Sequence, residues 1–211
     1  MTSMRAREKK PTPNGLGTRI VTERLLLRPP GEDHGPSVAR AIARNAEHLA
    51  RVSPTTRPSS SLVDVARRVA VDRSDFRKGT GFVFYGFARD SAPGEGELVP
   101  EVLAKVALNG VQRGAMQSAY LGYWVDRDHE GKGLAYEAVR AVMRFAFEEA
   151  KLHRLQAAIQ PWNARSITLA ERLGFRHEGI ARRYLNVGGG WQDHAIFAFT
   201  SEDWTFGPVG G

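Results

Sequence analysis

Six consecutive residues, Glu130-Gly131-Lys132-Gly133-Leu134-Ala135, place two glycines and a lysine at the entry to an apolar helical pattern. Glycine lets a backbone approach a ligand closely. A helix start offers unpaired N–H groups at the positive end of its dipole. Together these bind phosphate. Two familiar phosphate loops are excluded. A Walker A loop needs Ser or Thr after Gly-Lys, where this chain has Gly133. The dinucleotide fingerprint needs a third glycine where Tyr136 stands. Taken alone, Gly-Lys-Gly is also what a tight structural turn uses. Downstream, Asn163 stands at a helix N-cap position and Ser166 in that helix's first turn. Candidate proton acceptors are Glu47, His48, Glu178 and an Asp193-His194 pair. Each also reads as a helix-surface, capping or sheet residue. No spacing of His, Asp and Glu suggests a metal site. The chain has no cysteine, which removes disulfides, thiolate ligands and cysteine nucleophiles together.

These residues need elements to hold them. Ile20 to Arg28 reads as a first strand, ended by Pro29-Pro30-Gly31. Glu32 to Ala50 has a helical pattern, then a Ser- and Pro-rich loop from Ser53 to Ser61 leads to a helix over Leu62 to Lys78. Phe82 to Ala88 is an aromatic-rich strand. A turn covers Asp90 to Glu97, a strand Leu98 to Leu108, and Asn109-Gly110 is a good turn dipeptide before a strand over Ala119 to Val125. Leu134 to Ala150 puts Leu134, Ala138, Ala141, Val142 and Phe145 on one helical face. Leu155 to Ile159 is a strand, and the helix capped by Asn163 ends at Leu173-Gly174. Phe175 to Leu185 and Trp191 to Phe199 close the pattern as two strands joined around Gly188-Gly189-Gly190. This order predicts a mixed α/β (α+β) domain, a sheet covered by helices.

A length of 211 residues suits one domain. Residues 1–17, with Arg5, Arg7, Lys9, Lys10, Pro11 and Pro13, are expected to be a disordered basic tail. The domain is expected over 18–205, with a short tail at 206–211. No apolar run approaches a membrane span and the N-terminus carries no apolar segment, which predicts a cytoplasmic protein without a membrane partner. The net charge of +7 has two readings. It favours anionic partners such as cofactor phosphates or RNA, or it describes a generally basic surface, since the cations are scattered.

Company gives the glycine loop its meaning. Glu130 to Ala135 resembles the Arg/Gln-x-x-Gly-x-Gly/Ala signature of GNAT N-acetyltransferases, with Glu130 as the departure. Asn109 to Tyr123 is similar to the third-to-fourth strand region of the RimJ/RimL-type enzymes (ribosomal-protein-alanine N-acetyltransferases). His153-Arg154, Pro161-Trp162-Asn163-Ala-Arg-Ser166, Glu171-Arg-Leu-Gly-Phe175 and Glu178-Gly179 resemble their fifth strand and following helix. Gly190-Trp-Gln-Asp-His194 and Thr200-Ser-Glu-Asp-Trp204 resemble their ending. The ordered matches cover roughly 18–205.

The resemblance implies a central, mostly antiparallel sheet of about six or seven strands, splayed between the fourth and fifth and flanked by about four helices. It implies acetyl-CoA as co-substrate, with no metal. Val125, Glu130, Gly131, Lys132, Gly133, Leu134, Ala135 and Asn163 would bind it. The backbone of Tyr123 and Trp124 would meet the thioester, and Ser166 would protonate the leaving thiolate. A carboxylate beside a diphosphate is unfavourable, so Glu130 needs a cation, for which Lys132 and Arg127 are at hand in sequence. The glutamate that RimL-type enzymes are thought to use as base has no counterpart after Glu178-Gly179, where Arg182 and Arg183 stand. An α-amine, with pKa near ~8, costs only about 1 kcal/mol to deprotonate at neutral pH, against about 4 kcal/mol for a lysine. The missing carboxylate therefore fits a protein N-terminus as acceptor. A small amine such as an antibiotic or polyamine stays open, as does a non-catalytic module that binds RNA.

Overall fold

The computed structural model describes residues 15–52, 59–91 and 99–204. The loop expected after Ser53 and the turn before Glu97 lie largely outside the described residues, as do most of the N-terminal tail and the C-terminal one. The tail boundary itself moves. Leu16 packs against the core, and the Thr18 hydroxyl closes a turn on the Gly15 carbonyl at 2.8 Å.

Among the described residues, eight strands form one sheet in the order β1-β2-β3-β4-β5-β6-β8-β7. They are β1 (Ile20–Val21), β2 (Leu25–Arg28), β3 (Phe82–Ala88), β4 (Ala104–Gln112), β5 (Ser118–Val125), β6 (Arg154–Ile159), β7 (Arg176–Val187) and β8 (Gly190–Thr200). The count exceeds the expected six or seven because the first strand breaks in two. Thr22 accepts a hydrogen bond from Leu25 N–H through its hydroxyl, and Thr22 N–H donates to the Leu25 carbonyl, folding β1 back on β2. Asn109-Gly110 makes a bulge inside β4 instead of the expected hairpin turn, with Gly110 at φ 56°.

The helices are α1 (Gly35–Arg44), α2 (Ala46–Val52), α3 (Leu62–Lys78), α4 (Leu134–Arg144), which runs on into a π-turn over Phe145–Glu149, and α5 (Ala164–Arg172). The long helix expected from Glu32 divides at Asn45. Its carboxamide donates to the Ala41 carbonyl at 2.8 Å and its Oδ1 accepts from Arg127 N–H at 2.8 Å, so it leaves the helix to bind a loop far along the chain. One face of the sheet buries Leu27, Phe84, Val106, Leu121 and Phe197 with α4 and α5; the other buries Val83, Tyr85 and Phe87 with Val38 of α1 and Val69 of α3. The alternation of strand residues makes these two separate cores.

Among the described residues, all but one of the strand pairings are antiparallel. The exception is β5 with β6, which is parallel and stops early: Ser118, Ala119 and Tyr120 face Arg154, Leu155 and Gln156, and no further pair forms. Beyond that point β5 stays paired to β4 as far as Val125, and β6 to β8 as far as Ile159. The two strands diverge and leave a cleft between them.

Before α1, His34 is fully buried, its Nδ1 accepting from Gly31 N–H at 3.0 Å and its ring edge-on to Phe87 at 5.1 Å. Burial pushes its pKa down to about 4 from 6.5, against a smaller upward pull from Asp33. A folded-state pKa below the unfolded value means that the unfolded chain binds the extra proton, so stability is complete above about pH 6.5 and falls until about pH 4. Urea unfolding should show a loss of about 2 kcal/mol from pH 7 to pH 5, a window above that of the carboxylates. A flat profile over this window would contradict a neutral buried His34.

Candidate functional site

The loop that follows β5 is built by its glycines. Gly131 and Gly133 lie at φ 72° and 80°, a region closed to most side chains, and Gly133 is the N-cap of α4. The first hydrogen bond of α4 runs from Glu137 N–H to the Gly133 carbonyl at 3.2 Å. None of the main-chain N–H groups of Gly131, Lys132, Gly133, Leu134 and Ala135 makes a well-formed hydrogen bond with another described residue. A cluster of free donors at the positive end of a helix suits a diphosphate.

A brace absent from every motif holds this loop. The Glu137 carboxylate of α4 accepts from the Thr22 hydroxyl at 2.5 Å, Arg24 N–H at 2.8 Å and Arg24 Nε at 2.7 Å. Arg24 Nη1 then donates to the Lys132 carbonyl at 2.6 Å. Burial would raise the Glu137 pKa, but these donors outweigh it and hold the carboxyl below its ordinary range. The turn that divides the first strand thus anchors the glycine loop. A Thr-x-Arg pair just before an apolar strand is the only local signal for it.

A second support is buried Asp126, directly after β5. Its carboxylate accepts from Arg44 Nε at 2.6 Å, Asn45 Nδ2 at 2.9 Å and Asp128 N–H at 3.1 Å. Burial pulls its pKa up, and the bonds from Asn45, Arg44 and Asp128 more than reverse this. Asp126 thereby ties the α1–α2 junction to the loop.

Glu130 turns to cations other than those expected. Its carboxylate is hydrogen-bonded to Arg165 Nη1 from the first turn of α5 and lies 3.7 Å from His48 Nε2 of α2. Lys132 instead points its ammonium at the Asp128 carbonyl (2.8 Å), and Arg127 sits beside Asp128. The correction has a spatial cause: α5 begins on the far bank of the cleft, so Arg165 reaches a residue 35 positions earlier.

Within the cleft, alternate residues of β5 face β6. Asp126 N–H bonds Leu103 on the β4 side, and Arg154 N–H bonds the Gln117 carbonyl on the β6 side. Counting from both ends, the main-chain groups of Tyr123 and Val125 face the cleft and those of Trp124 face Lys105 of β4. The side chains split likewise, Tyr123 packing with the α4–α5 core and Trp124 with the α1–α3 core. Trp124 therefore turns its backbone away from the position expected of it. The Tyr123 hydroxyl is buried without a hydrogen-bond partner among the described residues; burial raises its pKa, and the nearby Ser166 hydroxyl pulls it partly back. The two hydroxyls are neighbours without a hydrogen bond between them. Asn163 caps α5, its Oδ1 accepting from Ser166 N–H at 3.2 Å.

The candidate bases scatter. Glu47 is an exposed partner of Arg51 at 3.0 Å. Glu178 is lowered from its ordinary range, chiefly by hydrogen bonds from Arg154. Asp193 and His194 form no pair: Asp193 accepts from Arg183 N–H at 2.7 Å, while His194 Nδ1 meets the Gln192 carbonyl at 3.0 Å. Neighbours along a strand point to opposite faces, which separates them. Among the described residues no group of His, Asp and Glu could hold a metal ion, and no helix is long and apolar enough to cross a membrane.

The pattern of the acetyltransferase (GNAT) domain matches residues 24–176. The [ribosomal protein uS5]-alanine N-acetyltransferase of Escherichia coli is 32% identical over 190 residues, 90% of this chain and 94% of that protein. A probable N-acetyltransferase of Bacillus subtilis, YjcK, is 43% identical over 102 residues, 48% of this chain and 56% of that protein. Among solved structures, Mycobacterium smegmatis RimJ in complex with CoA-disulfide superimposes with a TM-score of 0.76 at 27% identity, covering 85% of this chain and 83% of the other.

Proposed function

The chain belongs to the GNAT acetyltransferase family, and from that premise we propose that it moves acetyl from acetyl-CoA to the α-amino group of a protein N-terminus, as RimJ-type enzymes do. The observation that carries this is the row of free N–H groups from Gly131 to Ala135 opening onto the cleft where β5 leaves β6. The diphosphate fits that row and the pantetheine arm fits the cleft. The main-chain groups of Tyr123 and Val125 would bind the arm and stabilise the developing oxyanion. Asn163 lines the arm while it caps α5. The amine nitrogen attacks the thioester carbonyl, the C–N bond forms and the C–S bond breaks. The thiolate takes the proton of the Ser166 hydroxyl, beside Tyr123, and the proton shed by the amine passes through water back to Ser166, which restores the hydroxyl.

The absence of a free carboxylate among the candidate bases bears on the acceptor. With Glu178 tied to Arg154 and Glu47 on the surface, the chain favours an amine that gives up its proton readily. An α-amine does so at about 1 kcal/mol. A net charge of +7 repels basic ribosomal tails at long range and favours an acceptor presented beside RNA.

Incubation with acetyl-CoA and a mixture of N-terminal peptides, lysine-blocked peptides and polyamines, followed by mass spectrometry, tests the acceptor. Acetyl on free N-termini supports the reading; transfer to polyamines alone overturns it. Heat on CoA titration without transfer to any amine would identify a binding module. Ser166→Ala should lower kcat about ten-fold with CoA affinity within about two-fold of the parent, an effect of order 1.4 kcal/mol on the transition state. Equal losses in both would make Ser166 a helix residue only.

A further inference from the structure

The cations around the phosphate loop differ in what they are free to do. Arg24 is held by Glu137 and the Lys132 carbonyl, and Arg44 by Asp126 and Glu101. Lys132 spends its ammonium on the Asp128 carbonyl, and Arg127 lies beside the Asp128 carboxylate at 3.6 Å. Arg165 is different in three respects. It comes from the opposite bank of the cleft, on the first turn of α5. Its side chain is 84% exposed, so it stands in solvent over the loop rather than under it. Its partner, Glu130, is itself part of the loop, which brings the guanidinium to the lip where the cleft meets the free N–H groups.

We infer that Arg165 is a CoA-binding residue, a guanidinium stationed by Glu130 to bond the diphosphate from the α5 side. This rests on the proposed reading of the loop as a CoA site. A guanidinium carries five N–H donors in a fixed fork. Glu130 engages Nη1, which leaves the remaining donors for phosphate oxygens. The arrangement also accounts for a carboxylate beside an anion site. Glu130 acts on the ligand through the cation that it holds, and His48 Nε2 lies 3.7 Å from its other oxygen. Glu130 is a positioning residue, and Arg165 bridges the two banks of the cleft when ligand is bound.

Isothermal titration with CoA and with dephospho-CoA, on the full chain at low and high salt, tests the assignment. Arg165→Ala should weaken both ligands about ten-fold at low ionic strength, and the gap should narrow as salt screens an exposed charge. Arg165→Lys, a point charge without the fork, should recover only part of the loss. Moving the charge to the loop in the double variant Arg165→Ala/Glu130→Arg should restore most of the affinity. CoA binding within about two-fold of the parent in Arg165→Ala would overturn the inference and leave a surface ion pair, which is ordinarily worth little. Loss for CoA but not dephospho-CoA would overturn it too, by moving the contact to the 3′-phosphate. Failure of the unaltered protein to bind CoA would instead overturn the reading of the loop itself.

Discussion

Gly133→Val should weaken CoA binding by on the order of 100-fold while leaving the sheet intact. Gly133 sits at φ 80°, and a Cβ built there would stand 3.4 Å from Arg24 Nη2. Left-handed backbone costs an ordinary residue about 1–2 kcal/mol, and a β-branched one more. The free protein escapes that strain by relaxing the loop, which also disturbs the Arg24 bond to the Lys132 carbonyl. Binding must then rebuild the strained geometry, and about 2.8 kcal/mol of rebuilding is a factor of 100 in affinity. Gly133→Ala, without the branch, should lose about ten-fold. Titration calorimetry reads both. Affinity within about three-fold of the parent for the valine variant would mean that the loop's backbone does not hold the diphosphate.

Asp126→Ala should be the most destabilising single change near the site. Asp126 is 1% exposed, and its removal strips the acceptor from Arg44, Asn45 and Asp128 N–H at once. Deleting one partner of a buried charge pair costs about 3–5 kcal/mol. Arg44 also reaches Glu101 at 3.0 Å, so the lower end, about 3 kcal/mol, is expected. For a chain of this size that is a fall in Tm of roughly 6–12 °C. Asp126→Asn keeps the shape and should lose less. Because its carboxyl is held below the ordinary 3.8, the contribution of Asp126 is complete above that pH and is lost only as pH falls further. That places it below the His34 window, so the two groups separate in a pH series. A variant that melts within about 2 °C of the parent would show that α1–α2 does not depend on this hub.

Several site elements were legible because they are local. Gly131 and Gly133 fall at the positive-φ positions that a strand-to-helix turn demands, and Asn163 caps α5 as its type and place suggest. Gly188 and Gly189, at φ 64° and 87°, turn β7 into β8. Other readings failed where a polar side chain made a distant bond. Asn45 sits in a run of good helix residues, and only Asp126 and Arg127, some 80 positions on, explain why it ends α1. Thr22 looks like an ordinary strand threonine until Glu137 comes beside it.

The amino-acid order alone determined the glycine loop, the helix that starts on it, the two-faced strands and the lack of thiol chemistry. Each follows from torsional limits, side-chain period or residue type, which act within a few positions. Only the tertiary structure decided that Arg165 answers Glu130, that Glu137 and Asp126 brace the loop, and that Tyr123 rather than Trp124 turns its main chain to the cleft. Those outcomes depend on where β5 and β6 part, which is after the Tyr120–Gln156 pair. Pairing across such distances is a property of the assembled cores, and no short stretch of chain encodes it.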